Sequence, residues 1–438
     1  MLTQMKSLLA SLSPGRTPDS RFDLSAAIGS TVLRQIASSA LYFLALWITT
    51  RRLGPHDNGL LVTALLLPQT LYAFLNLGLG PSHVYHMSSG TGSPRAMRRM
   101  NWSLALGLWL AVVLALGLLS EGIVGRYLPG TAKSTALYAS LLFPMMLLAA
   151  WTSSLIQGTR DYATYNKTAL TQPLVFCLGV LALDAAGRVT VPAVLASHIA
   201  SQAALWLASE ARVRHYKAAA SGTGLRFGAA VAFGLRTHLS NMITFLNYRV
   251  ALYLVSFLLT PAAAGRYALS IQLAEVLWLI ASAASVVVFP ESAAHNSTPA
   301  ALQRMIRKVA GSVFKITLAG ALLAGLLSPL VIPWVFGQDY AGSVAPFAIL
   351  LPGIVTWSYM SVVANSLAGM GCQHVNIYAS LLSLTLNAGG CAALIPVFGT
   401  HGAALASTVA FTVTAGYTIF MYRRIMAERI ARAEGRTA

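Results

Sequence analysis

The chain has 438 residues, of which 56% are hydrophobic and only 10% charged, with a mean hydropathy of +0.66. Those values exclude an ordinary soluble globular protein and predict an all-α integral membrane protein. The formal net charge of +18 invites a nucleic-acid reading, which the distribution of that charge excludes.

Residues 1–24 carry Lys6, Arg16, Asp19, Arg21 and Asp23, and their short apolar run has neither the length nor the cleavage site of a signal peptide. This segment is predicted to be a tail, either disordered or forming an amphipathic surface helix. Apolar stretches then recur, each close to the roughly 20 residues that cross a bilayer. Twelve spans are predicted, at about residues 28–50, 58–86, 100–120, 135–157, 163–184, 190–211, 228–258, 264–290, 309–335, 343–369, 375–396 and 401–424.

In the first span, Thr31, Arg34, Gln35, Ser38 and Tyr42 form a polar stripe on one helical face. The turn Leu53-Gly54-Pro55, with Gly59 four residues beyond the proline, ends that span. Pro68, Pro144, Pro173 and Pro352 predict kinks within later spans. The seventh span repeats the stripe as Thr237, Ser240, Asn241, Thr244 and Tyr248, at a constant offset of 206 residues, and Leu259-Thr260-Pro261 with Gly265 repeats the turn. Later landmarks keep the order: Pro144 matches Pro352, Gly158 matches Gly369, and Leu195-Ala196-Ser197 matches Leu405-Ala406-Ser407. A period of half the chain, with an even number of spans in each copy, predicts two six-helix lobes related as parallel repeats around a central cleft. The expected division is a tail at 1–24, an N-terminal lobe at 25–213, a linker at 214–226, a C-terminal lobe at 227–424 and a second tail at 425–438.

Twenty of the 30 Lys and Arg residues fall in the tails and even-numbered loops, against six in the odd-numbered loops. This positive-inside bias predicts that both termini are cytoplasmic. It also ties the excess charge to topology and to the lipid bilayer, with no nucleic acid as partner.

A polar stripe inside an apolar helix is costly unless it faces water, a substrate or another polar helix. Arg34 and Arg249 are therefore either substrate ligands or residues that snorkel or pair between helices, while Arg236, nearer a helix end, reads as snorkelling. His238 lies on the same side of the seventh span as Arg249. Glu275 is the acid nearest the middle of a span, and its repeat partner is Gln69. It is either an ion-coupling group or a structural carboxylate, neutral or paired with an arginine. One acid against several cations predicts a net positive cleft suited to an anion, with arginine forks matched to phosphate. His198, Asn365 and Asn387 read as partners in interhelical hydrogen bonds. Cys177, Cys372 and Cys391 fit neither a zinc site nor a disulfide framework, no phosphate-binding loop is present, and no acid pair suits glycosyl transfer. The expectation is a transporter rather than an enzyme, with no cofactor and no metal.

The run Arg52-Leu53-Gly54-Pro55 with Gly59, the segment Asn247-Tyr248-Arg249, and Thr260-Pro261 with Gly265-Arg266-Tyr267-Ala268 together resemble the Wzx-type polysaccharide flippases of the multidrug, oligosaccharidyl-lipid and polysaccharide exporter superfamily. The resemblance implies a multi-pass protein of the bacterial inner membrane. It would move undecaprenyl-pyrophosphate-linked oligosaccharide to the periplasmic leaflet by alternating access, for O-antigen, capsule or exopolysaccharide synthesis. The cleft residues it implies are Arg34, Gln35, Ser38, Tyr42, His238, Asn241, Thr244, Tyr248 and Arg249, with Glu275 and Gln69 as candidates for coupling to H+ or Na+. A polysaccharide polymerase and chain-length machinery are the implied protein partners. Members often carry an acid near the segment that corresponds to 247–249; here there is none. The alternative on the same fold is a drug or metabolite antiporter.

Overall fold

The computed structural model describes residues 24–88, 92–159, 161–216, 227–294 and 298–434, and these form helices with short connections. In chain order they are α1 (Leu24–Leu75), α2 (Leu79–Ser88), α3 (Pro94–Leu118), α4 (Glu121–Tyr127), α5 (Lys133–Ser140), α6 (Leu142–Gly158), α7 (Tyr162–Ala169), α8 (Thr171–Ala185) and α9 (Val191–Val213) in the first half. The second half holds α10 (Phe227–Leu258), α11 (Pro261–Val276), α12 (Trp278–Ala294), α13 (Pro299–Phe336), α14 (Val344–Gly369) and α15 (Gln373–Ala433). Among the described residues eight segments are long and apolar enough to cross a membrane. Two of them, α1 and α15, are hairpins, and α10 and the α11–α12 pair add one passage each, giving the twelve predicted passages.

Both hairpins turn on one glycine in a non-helical conformation. In α1 it is Gly54, at φ 69° and ψ 176°; in α15 it is Gly399, at φ 56° and ψ −134°. A side chain at such positive φ is strained, so one glycine suffices to reverse the chain. The α15 arms are joined by Ser407 Oγ, which donates to Asn387 Oδ1 at 3.1 Å, and Tyr267 Oη lies 3.4 Å from the same hydroxyl. Asn387 thus behaves as the interhelical partner its position predicts.

The prolines act in two ways. The fourth passage breaks between Ser140 and Leu142, and the fifth between Ala169 and Thr171. Ser140 and Ala169 lie four residues before Pro144 and Pro173, where a proline ring meets the carbonyl of residue i−4. Pro68 and Pro352 remain inside continuous helices. The break at Leu277 between α11 and α12 has no proline and was not legible as a kink.

Within the first half, α9 packs between α6 and α8; in the second, α14 packs against α12, α13 and α15. The halves meet most closely where α1 crosses α11. There the two repeated turns interlock. A Cβ on Gly59 would stand 1.7 Å from the Pro261 carbonyl oxygen, and one on Gly265 2.1 Å from the Pro55 carbonyl oxygen. Each half's glycine thus seats the other half's proline carbonyl, a reciprocal contact that joins the lobes at the end remote from the termini, called here the turn end. At the same end α13 stops at Phe336, and the unpaired Val335 carbonyl accepts from Trp47 Nε1 at 2.9 Å and Arg51 Nη1 at 3.2 Å.

Candidate functional cleft

Behind the interlocked turns, the arms of α1 and the helices α10, α11 and α12 diverge around a cleft of about 640 Å³. Its first wall carries Tyr42, Phe43 and Gln69 from α1 with Phe176 and His198; its second carries Tyr248, Arg249, Glu275 and Trp278. One helical turn separates Phe245 from Arg249 and Gln272 from Glu275 or Val276, so the periodicity of α10 and α11 turns these residues to one side.

Arg249 Nη1 lies 3.6 Å from Glu275 Oε1, and both side chains are a little over a quarter exposed. Glu275 thus lies against an arginine. The pair joins α10 to α11 within the second half, and among the described residues the cleft wall carries one formal positive and one formal negative charge. The described part of the wall is therefore not net positive as the sequence leads one to expect, because Arg34 lies elsewhere. Arg34 sits near the terminal end of α1, where its Nε donates to Asn166 Oδ1 at 3.1 Å and its Nη2 to Gln35 Oε1 at 3.4 Å. Asn166 Nδ2 in turn donates to the hydroxyls of Ser30 and Thr31, each at 3.1 Å. The lower half of the first polar stripe therefore fastens α1 to α7.

Of the other residues singled out from the sequence, Tyr42, Tyr248 and Gln69 line the cleft together with Arg249 and Glu275. Gln35 is exposed and Ser38 buried, and neither lines it. His238 is buried, with Nε2 2.9 Å from the Phe74 carbonyl oxygen, and so spans the two halves toward the terminal end. Thr244 lines an adjoining pocket of about 190 Å³ with Asn247, Tyr248 and Trp357. The side chains of Asn241, Thr237, Ser240 and Arg236 lie outside the described residues.

Sequence reasoning missed an aromatic cluster beside the ion pair. Tyr248 and Trp278 have ring centroids 5.0 Å apart, Tyr248 and Trp357 6.0 Å, and Trp357 and Phe411 4.8 Å. On the opposite wall His198 stacks on Phe176 at 4.0 Å. Trp278 follows Glu275 by three residues, which is the signal that could have found it; Trp357 lies on a span with no charged residue and gives none. The cleft thus combines a charge pair that can exchange a partner, polar groups from both lobes, and flat aromatic faces.

The family model of polysaccharide biosynthesis proteins matches residues 48–345, more than half of the chain and both sides of the cleft. The chain belongs to this polysaccharide biosynthesis protein family. The fold of this family member is similar to that of the lipid II flippase MurJ in an inward closed conformation, with a TM-score of 0.72 and 14% identity over 92% of this chain and 91% of that one. An inward-facing multidrug resistance MATE transporter of the MOP superfamily matches equally well, with a TM-score of 0.72 and 13% identity over 91% of this chain and 98% of the other. A MOP superfamily transporter from Pyrococcus furiosus gives 0.63 and 14% identity over 95% and 99%. Comparison with curated proteins finds no significant sequence match. The polysaccharide biosynthesis protein therefore has the MOP fold, with two six-helix lobes around a central cleft.

Proposed function

We propose that this chain is a flippase that carries an undecaprenyl-pyrophosphate-linked oligosaccharide from the cytoplasmic to the periplasmic leaflet of the bacterial inner membrane by alternating access. The observation that carries this reading is the cleft of about 640 Å³ between the lobes of a polysaccharide biosynthesis protein, with the Arg249–Glu275 pair beside an aromatic cluster. Sugar rings stack against Tyr248 and Trp278, while the diphosphate takes over the guanidinium of Arg249 from Glu275. Arginine favours that exchange because its fork meets two oxygens at once. Arg34 lies nearer the terminal end, where a headgroup would enter from the cytoplasm, so its hydrogen bond to Asn166 is the first contact to be exchanged. Rocking of the lobes would then open the turn end while the polyprenyl tail stays in lipid.

Deletion in a strain with no second flippase should accumulate the lipid-linked oligosaccharide on the cytoplasmic leaflet and abolish the surface polymer. Normal export in that strain would overturn the reading. Dye or drug accumulation measured in the same strain separates it from an antiporter, for which efflux rather than polymer export would fall.

A further inference from the structure

A separate pocket lies on the outside of the N-terminal lobe. It is open, has a volume of about 600 Å³, and is lined by Arg95, Arg98, Arg99, Trp102, Ser103 and Leu106 of α3. None of these residues lines the central cleft. Arg98 is neutralised: its Nε donates to Glu210 Oε1 at 2.8 Å, its Nη2 makes a second bond to the same oxygen, and Glu210 is buried. Arg95 and Arg99 are exposed and make neither an ion pair nor a side-chain hydrogen bond among the described residues. The pocket therefore presents two uncompensated cations.

Trp102 is half exposed and held edge-on against Trp206, with ring centroids 4.8 Å apart. Beyond it Leu106, Leu110, Leu114 and Leu118 are exposed at four-residue spacing, so an apolar strip continues from the cationic end along α3. Only 17% of the most apolar window of α3 is buried, which makes this helix a lipid-facing wall of the protein. A ligand that satisfies the surface has an anionic head for the arginines and a hydrocarbon tail for the leucines. Tryptophan beside arginine suits the level where headgroups meet acyl chains.

We propose that this pocket is a binding site for the phosphate headgroup of an anionic phospholipid in the surrounding leaflet, with its acyl chain lying along Leu106, Leu110 and Leu114. The arginine fork bonds the phosphate oxygens, Trp102 flanks the glycerol region, and the buried Arg98–Glu210 pair fixes the floor. The site is independent of the transport reading, since its residues and those of the cleft are disjoint.

The test uses the full-length protein in phosphatidylcholine nanodiscs, titrated with phosphatidylglycerol and followed by native mass spectrometry of retained lipid. The double variant Arg95→Gln/Arg99→Gln should weaken phosphatidylglycerol retention about 30-fold, from roughly fivefold per interfacial cation. A control, Arg304→Gln/Arg307→Gln, removes two exposed charges on α13 and should change retention less than twofold. An unchanged melting temperature shows that the fold is intact. Equal weakening in both variants would reduce the effect to general surface charge and overturn the site. So would unchanged retention in Arg95→Gln/Arg99→Gln. Displacement of phosphatidylglycerol by an equimolar polyprenyl diphosphate would assign the pocket to that lipid instead, and also overturn the proposal.

Discussion

Substituting alanine at Gly59 or Gly265 tests whether the reciprocal turn contact holds the lobes together. Both glycines are within helices, where alanine is intrinsically better than glycine by about 1 kcal/mol, so neither change weakens its own helix. The damage falls on the junction. A Cβ on Gly59 would sit 1.7 Å from the Pro261 oxygen, whereas real Cβ contacts essentially never fall below 3.0 Å, so the chains must separate by at least about 1.3 Å. Gly265→Ala meets the Pro55 oxygen at 2.1 Å and demands a smaller separation, at least about 0.9 Å, from the other side. Overpacking of this kind costs about 1–3 kcal/mol, which lowers the ratio of turn-closed to turn-open molecules by roughly 5- to 150-fold. Spin labels at Arg126→Cys and Gln338→Cys, both exposed at the turn end, report that ratio as a distance distribution once Cys177, Cys372 and Cys391 are replaced by alanine. Each glycine variant should shift the distribution to longer distances and slow export. Unaltered distributions in both variants would show that the interlocked turns do not hold the lobes closed.

Arg249→Ala should abolish most export of the surface polymer at unchanged membrane abundance, and Arg249→Lys should restore only part, because a point charge replaces a fork; full activity of Arg249→Ala would remove this arginine from the site. Glu275→Gln frees Arg249 and should tighten binding of a soluble diphosphate analogue, measured by calorimetry, whereas unchanged affinity would mean that the carboxylate does not compete for the guanidinium. Arg98→Ala leaves the buried Glu210 with Arg214 at 3.8 Å as its remaining partner and should cost about 3–5 kcal/mol, seen as a lowered melting temperature. Asn387→Ala removes the shared acceptor of Ser407 and Cys391 and should cost about 1–3 kcal/mol by the same measurement.

The architecture was legible because the bilayer imposes it: spans are long, apolar and separated by polar connections, whereas the contact between the repeated Pro-x-x-x-Gly turns was not legible from their repetition. The site was legible only where polarity is exceptional in an apolar helix. That criterion led to Tyr42, Gln69, Tyr248, Arg249 and Glu275, which share the cleft, and equally to Arg34, Gln35 and Ser38, which do not line it. A helical stripe specifies a face and leaves the neighbour across it open, and α7 supplies that neighbour for Arg34 through Asn166. The aromatic cluster escaped for the opposite reason. Trp357 and Phe411 look like any lipid-facing ring until helix packing turns them toward Tyr248 and Trp278.

Two of the positions at which the halves differ fall in one place, whereas Arg34, which corresponds to Ser240, lies elsewhere. Arg249 corresponds to Phe43 at the 206-residue offset and Glu275 to Gln69, and all four residues line the cleft. Among the described residues, one lobe therefore presents an uncharged wall and the other carries both charges. Because Arg249 and Glu275 belong to the same lobe, rocking the lobes apart need not stretch their contact, and the pair cannot serve as a latch between open and closed states. A contact between the lobes lies instead at matched positions, Pro55 and Gly59 against Pro261 and Gly265. Separation of Arg249 from Glu275 therefore calls for a change at the pair itself, such as a ligand that offers the guanidinium a better partner. A scaffold that closes through symmetric contacts thus leaves its asymmetric charges free to respond to cargo, and variants of the two sets should separate: glycine variants should change the closed population in the absence of cargo, and Arg249 variants should change only its response to cargo.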